Sequence, residues 1–284
     1  MSKNRQLMAV LTCWVGTGVI NDSYRSSHTA MTNAMSLRDD AMCAFISSVS
    51  RLPASAPTWC SGWSAHDLTA HVTAAAEERA DLIDDHLAGK PSRATRSWQV
   101  REPPFRAMPD AVLRERLQEH AVRFERNVSA LREDDTILYT GWAMTAQRLR
   151  MHSHSEAVLH RWDLVGDDAV GIQLLSDPAM VTHALAVFDA LPALAESQRW
   201  HVSNLVPRPV ILRSGGRPDV VVSPGEGLLT TPNADGVVIE LRPHELPLVL
   251  WGRCPSRLRD PRANAETMED VLQRLCRQGG ASGH

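Results

Sequence analysis

Lysine is nearly absent from this chain. Of its 30 lysine and arginine residues, only Lys3 and Lys90 are lysines. The formal net charge is −3 at pH 7, so the composition supplies neither a basic groove for nucleic acid nor a polybasic patch for an anionic membrane. Cysteine is also sparse. Cys13, Cys43, Cys60, Cys254 and Cys276 are odd in number, scattered and free of any CxxC pair. That excludes a disulfide framework and fits a reducing cytoplasm, the location expected here. Membrane-spanning runs are missing too. The apolar stretch LMAVLTCWVGTGVI near the start is too short to cross a bilayer and lacks a small-x-small cleavage site. Residues 1–35 are therefore expected to be a poorly ordered extension. Internal repeats and low-complexity tracts are absent as well.

What remains is an ordinary globular composition. The 284 residues are 43% hydrophobic and 22% charged, enough for one large domain or two modest ones. SLRDDAMCAFISSVSRL, residues 36–52, carries a helical apolar stripe that Pro53 stops. Ser64 and Asp67 form a capping-box pair opening a second helix that ends at Gly89. A connection containing proline and arginine leads to a third helix over Asp110–Leu131, with Val112, Leu113, Leu117 and Phe124 as its apolar positions. A fourth helix covers about Thr145–Leu164. This pattern predicts a four-helix bundle over residues 36–199, including a further bridging helix from Pro178 to about Glu196. Beyond residue 200 the texture changes. RPVILRS, PDVVVSP and GVVIEL are short β-branched runs broken by turn residues. Apolar LPLVLWGR and a helical stretch near Ala265–Arg277 follow, so residues 200–284 are assigned to a small α+β domain. The fold class is α+β.

The fourth helix holds the densest chemistry, HSHSEAVLH at residues 152–160. At about 100° per residue, His152, Glu156 and His160 share a face while His154 points away. His71 on the second helix has apolar helical neighbours in Leu68, Val72 and Ala75, so it faces the interior. Alone, a buried histidine reads first as a hydrogen-bonded core group. A buried Glu156 needs a partner or an ion as well. Together His71, Glu156 and His160 supply two imidazoles and one carboxylate, the ligand set of a catalytic zinc site with an open fourth position. E-x-x-x-H is a weak pattern by itself, so both readings stay open on these residues alone. His152 is a fourth ligand, a supporting group or a bystander, the last being preferred. Asp163 either accepts a ring N–H from His160 or is a solvated acid near the helix end. His66, His86, His154, His183, His201 and His244 read as surface or loop residues.

CSGWSAHDLTAHV (60–72), EAVLHRWDL (156–164) and LWGR (250–253) occur in this order. The combination resembles the mycothiol-dependent maleylpyruvate isomerase family of the DinB-like superfamily, over roughly residues 36–277. The resemblance implies a DinB-like four-helix bundle that binds a divalent metal, usually zinc, followed by a small, sterol-carrier-like α+β domain. It places the metal ligands on His71, Glu156 and His160, and an arginine implicated in activity on Arg253. Without the resemblance, Arg253 reads as a residue that meets the carbonyls at a helix end. Ser61 departs from the proline the family often has before Gly-Trp, a loop difference that leaves the ligands untouched.

Mycothiol is the thiol co-substrate the resemblance implies, with a small-molecule electrophile as its partner. A free thiol is mostly protonated at neutral pH, and a metal at an open position favours the nucleophilic thiolate. Arg253 would then orient an anionic substrate or offset developing charge. The reading leans to S-transfer, either in detoxification or in thiol exchange during natural-product assembly of the lincosamide kind. Cis–trans isomerisation of the maleylpyruvate type is the alternative. A non-catalytic, metal-containing binding protein is the competing class.

Overall fold

The computed structural model describes residues 40–191, 209–223, 227–229 and 236–255. The extension at 1–35, the boundary near residue 200, His201 and the helical stretch at Ala265–Arg277 lie outside the described residues. Elements are numbered in chain order among those described.

Four helices share one core. Residues 40–51 form α1, which buries Ala41, Phe45 and Val49. α2 spans Ala65–Leu87 and starts as expected: the Ser64 hydroxyl accepts from the Asp67 N–H, and the Asp67 carboxylate accepts from the Ser64 N–H at 3.0 Å. Such a cap stabilises a helix start by about 1 kcal/mol. α5 is Asp110–Ser129 and α6 is Ala146–Val165, capped by Thr145. Phe45, Leu68, Leu117 and Trp162, one from each helix, belong to the same buried cluster. Small residues at Ala70 and Ala74 leave room on α2 for Phe105 and Leu113 to pack against it. Val112, expected to face the core, is exposed on α5.

Two connections carry structure that hydrophobic periodicity does not reveal. Between α2 and α5 lie two single turns, α3 (Trp98–Arg101) and α4 (Pro103–Arg106). The chain leading to them is tied to α2 through the buried Glu78. Glu78 accepts from Arg93 Nη1 at 2.6 Å, from the Arg96 backbone N–H at 2.8 Å and from Arg96 Nε. Between α5 and α6 a hairpin pairs β1 (Thr136–Tyr139) with β2 (Trp142–Thr145). Its two-residue turn puts Thr140 and Gly141 both at positive φ, 51° and 89°, the backbone a tight hairpin needs.

After α6 come α7 (Ala169–Leu175), which was not anticipated, and α8 (Pro178–Ala190). No single described helix is long and apolar enough to cross a membrane. α7 and α8 pass that test only as a pair bent by 56°. The β-rich part is a four-stranded sheet of order β5-β4-β3-β6, built from Val210–Ser214 (β3), Val220–Ser223 (β4), Gly227–Leu229 (β5) and Val237–Leu241 (β6). β3 runs antiparallel to β4 and parallel to β6. Its apolar face packs on Val181, Ala184 and Phe188 of α8 and on Leu246, Val249 and Leu250 of α9 (Glu245–Leu250). Leu248 of α9 instead enters the core of the four helices. The chain is thus α+β, with helices first and a small sheet later.

α6 and α8 also meet through histidines. His152 Nδ1 and His183 Nε2 lie 3.2 Å apart, Tyr139 packs edge-on to His152, and Trp142 stacks on His183. Burial pushes His152 down to about 4 and His183 down to about 3, from an ordinary value of 6.5. Between pH 6.5 and those values the unfolded chain takes up protons that the folded chain refuses. The contribution of this pair to stability is therefore greatest above pH 6.5 and falls as the pH drops. Urea unfolding at pH 7, 5.5 and 4.5 should show this decline, and His183→Gln should flatten it. An unchanged slope in the variant would contradict the account.

Candidate metal centre

His71 projects from the second turn of α2, and Glu156 and His160 project from α6 one turn apart. His71 Nε2 lies 4.0 Å from Glu156 Oε2, and His160 Nε2 lies 3.8 Å from the same oxygen. The two imidazole rings are 4.9 Å apart and nearly perpendicular. One donor atom from each residue falls within 4.8 Å of the other two. The three residues picked from sequence are therefore brought together. The site is sheltered but open to solvent: the His71 and Glu156 side chains are 19% and 23% exposed.

Each histidine is held from behind by a carboxylate. His71 Nδ1 meets Glu102 Oε1 at 2.6 Å, and His160 Nδ1 meets Asp163 Oδ2 at 2.9 Å. With Nδ1 so engaged, each Nε2 faces the centre, where the neutral ring would offer its lone pair to a cation. The carboxylates are in turn held by arginines. Arg106 Nη2 donates to Glu102 at 2.9 Å and Nη1 to Asp67 at 2.6 Å, while the guanidinium lies over Trp63. Arg253 grips Asp163 with two bonds, Nε to Oδ1 at 2.9 Å and Nη2 to Oδ2 at 2.7 Å, and donates from Nη1 to the Trp251 carbonyl.

These contacts set the charges. Burial opposes ionisation of Asp163, but Arg253 and His160 outweigh it and hold the carboxyl well below its usual range. Burial likewise opposes charge on Glu156, yet His160, His152 and His71 keep it ionised. His160 resists protonation through burial, and its hydrogen bond to Asp163 together with the nearby Cys60 and Glu156 reverses that, pushing it well above 6.5. Burial pulls His71 down, partly offset by Glu102.

The donor set fits a divalent cation. Two imidazole nitrogens and an anionic carboxylate converge, and bonds of 2.0–2.1 Å in a tetrahedral site place neighbouring donors about 3.3 Å apart. The separations of 3.8 and 4.0 Å are about half an ångström wider, which small side-chain rotations close.

Other residues fall differently from expectation. His152 sits one turn from Glu156 on α6 but turns to His183, so it does not join the cluster. His154, His183 and His244 are buried, contrary to the surface assignment. His66 is half-buried against Asp110 and the Arg106 carbonyl, whereas His86 is exposed beside Asp135. Asp163 resolves toward orienting His160. Two neighbours escaped sequence reasoning. Glu102 lies on a connection without helical periodicity, so nothing marked it. Cys60, half-buried, approaches His160 and Asp163 closely enough to form a second donor group with them. It opens the CSGW motif, the one signal that pointed to it. Its loop is fixed to the end of α6 by the Trp59 N–H, which donates to the Asp163 carbonyl at 2.7 Å. A side chain at Gly166, where φ is +70°, would strike the Trp59 indole at 2.9 Å.

Residues 37–165 match the family model described as the mycothiol maleylpyruvate isomerase N-terminal domain. No curated protein sequence matches the chain significantly. Two solved structures share its fold. The mycothiol-dependent maleylpyruvate isomerase is 16% identical, with a TM-score of 0.54 over 79% of this chain and 90% of that one. A histidine-to-alanine mutant of a mycothiol-dependent maleylpyruvate isomerase is 15% identical, with a TM-score of 0.53 over 78% and 88%. Residues 37–165 are thus similar to the N-terminal domain of mycothiol maleylpyruvate isomerases, and the chain shares the fold of the two solved enzymes.

Proposed function

We propose that this chain uses mycothiol to isomerise a conjugated, anionic electrophile about a cis double bond, at a divalent metal held by His71, Glu156 and His160. The observation that carries this reading is the convergence of those three side chains, with both imidazoles locked through Nδ1. The ion, zinc being the first candidate, supplies the charge that favours a thiolate over a thiol at neutral pH.

The chain's own residues prepare the reaction. Glu102 and Asp163 keep both Nε2 atoms aimed at one point, and Arg106 and Arg253 keep those carboxylates ionised. Because the Nε–Nη2 edge of the Arg253 guanidinium is spent on Asp163 and Nη1 donates to the Trp251 carbonyl, Arg253 acts here as a positioning residue, not as a direct clamp on substrate. In the reaction, the thiolate sulfur adds to one alkene carbon and the π electrons move onto the conjugated carbonyl oxygen. Rotation about the resulting single bond follows, and expulsion of the thiolate restores the double bond as trans. Net S-transfer begins with the same attack and differs in keeping the new C–S bond. Isomerisation is preferred because it is the reaction in the names of the related structures. No feature of the site favours natural-product thiol exchange. A cytoplasmic location accords with thiol chemistry.

Metal analysis of purified protein should find about one divalent ion per chain. His71→Ala and His160→Ala should lose it, and retention of both metal and full turnover in those variants would refute the centre. Removing a carboxylate behind a metal-bound imidazole typically weakens binding about 10- to 100-fold, so Glu102→Ala should do the same here. Arg253→Ala should keep the ion but lower turnover, with partial rescue in Arg253→Lys. Incubation with mycothiol and maleylpyruvate should yield the trans isomer with thiol regenerated. Accumulation of a stable thiol adduct as end product would instead assign S-transfer.

A further inference from the structure

A buried cation without a counter-ion lies close to this centre. Arg79 of α2 is 1% exposed. Its guanidinium packs on the rings of Phe124 and Tyr139, 5.4 and 5.6 Å from their centroids. Its one hydrogen bond is a long one, 3.4 Å from Nη2 to the Ser153 hydroxyl, and Nε and Nη1 find no acceptor among the described residues. The acids of its own helix are engaged elsewhere: Glu78 with Arg93 and Arg96, Asp81 with Arg96 and Arg123, Asp84 with Arg123. Burying a guanidinium costs several kcal/mol unless an anion and good hydrogen bonds offset it. An arrangement that leaves most of its donors unused is poorly explained by stability.

A second arginine stands nearby. Arg101, half-buried, also has a buried Nε with no acceptor. It immediately precedes Glu102, so one short segment holds His71 through Glu102 and brings Arg101 to the same interior. Arg79 reaches the Ser153 hydroxyl on α6, and Arg101 adjoins the Glu102 that holds His71, so both arginines flank the centre. Ser153, the hydroxyl that Arg79 touches, precedes Glu156 by three residues on α6. That separation is about one helical turn, roughly 5 Å along the axis.

We propose that Arg79 and Arg101 form an anion subsite about one helical turn from Glu156 and about two from His71 and His160, and that it receives the carboxylate of the electrophile. The assignment rests on the thiol-addition reading of the neighbouring centre. A planar carboxylate presents two oxygens that match the forked donors of a guanidinium. Seated there, the anion would point its conjugated double bond along the bundle toward the bound thiol. Tyr139 and Phe124 furnish flat walls around the Arg79 cation instead of competing acceptors.

Calorimetric titration of the full chain with maleate tests this, run both as purified and after dialysis against a chelator. Saturable binding is expected in both forms, weakened at least tenfold by Arg79→Met and measurably by Arg101→Met, and lost with dimethyl maleate. Without ligand, Arg79→Met should unfold at the same or a higher temperature than wild type, since it removes an uncompensated buried charge. Maleate binding that ignores both substitutions would overturn the subsite. Binding that disappears on chelation alone would move the anion to the metal and overturn it equally. The titration needs no thiol, so arginine-dependent binding in a protein that never turns over mycothiol would sink the reaction and spare the subsite.

Discussion

The centre depends on alternating charge. Reading outward from Glu156, one arm runs through His160 and Asp163 to Arg253, and the other through His71 and Glu102 to Arg106. Imidazole, carboxylate and guanidinium follow in the same order on both sides. His160, Glu102 and Asp163 are buried and the other groups half-buried, at a cost that their neighbours offset, so removal of any one leaves a poorly compensated charge beside the interior. The fold can be understood as the means of bringing these arms together. α2 and α6 carry the inner residues, the α3–α4 turns carry Glu102 and Arg106, and the segment after α9 carries Arg253.

Precision at the centre comes from these outer contacts, not from the backbone of one helix. Glu156 and His160 are spaced by a helical turn, but their imidazole and carboxylate have several rotamers open to them in isolation. Asp163 removes that freedom from His160, and the twofold grip of Arg253 removes it from Asp163. On the opposite side Trp63, lying between Arg106 and His71, performs a similar service through ring contacts at 4.5 and 5.3 Å. The acidic loading of the site, with Glu102, Glu156 and Asp163 all ionised, suits a cation and disfavours an empty apolar pocket.

Helical phase made the inner residues legible. A four-residue step on α6 and an inward position on α2 single out Glu156, His160 and His71, and the Ser64–Asp67 cap announces where α2 begins. The outer residues were hidden for definable reasons. Glu102 comes from a stretch whose two single-turn helices are too short to leave a periodic signal, and its path is set by arginines reaching back to Glu78. The β1–β2 hairpin is four residues long on each side, below the length at which alternation separates strand from loop. His154 and His183 look polar in sequence but are interior, because α8 closes over a face of α6 that a four-helix picture leaves wet. His152 shares the ligand face by angle, yet at its height the facing element is the hairpin and α8, not His71.

The bond between Arg253 and Asp163 joins residues ninety positions apart. The recognised amino-terminal domain ends at residue 165, two positions past the acid and far short of the arginine. A fragment cut at that boundary would therefore leave a buried carboxylate without its only guanidinium partner among the described residues, and the histidine it steadies would be free to turn. The two halves of the polypeptide are in this sense not modular. Whatever exchanges of carboxy-terminal segments occur among related chains must preserve that single cationic side chain, or rebuild the acid it answers.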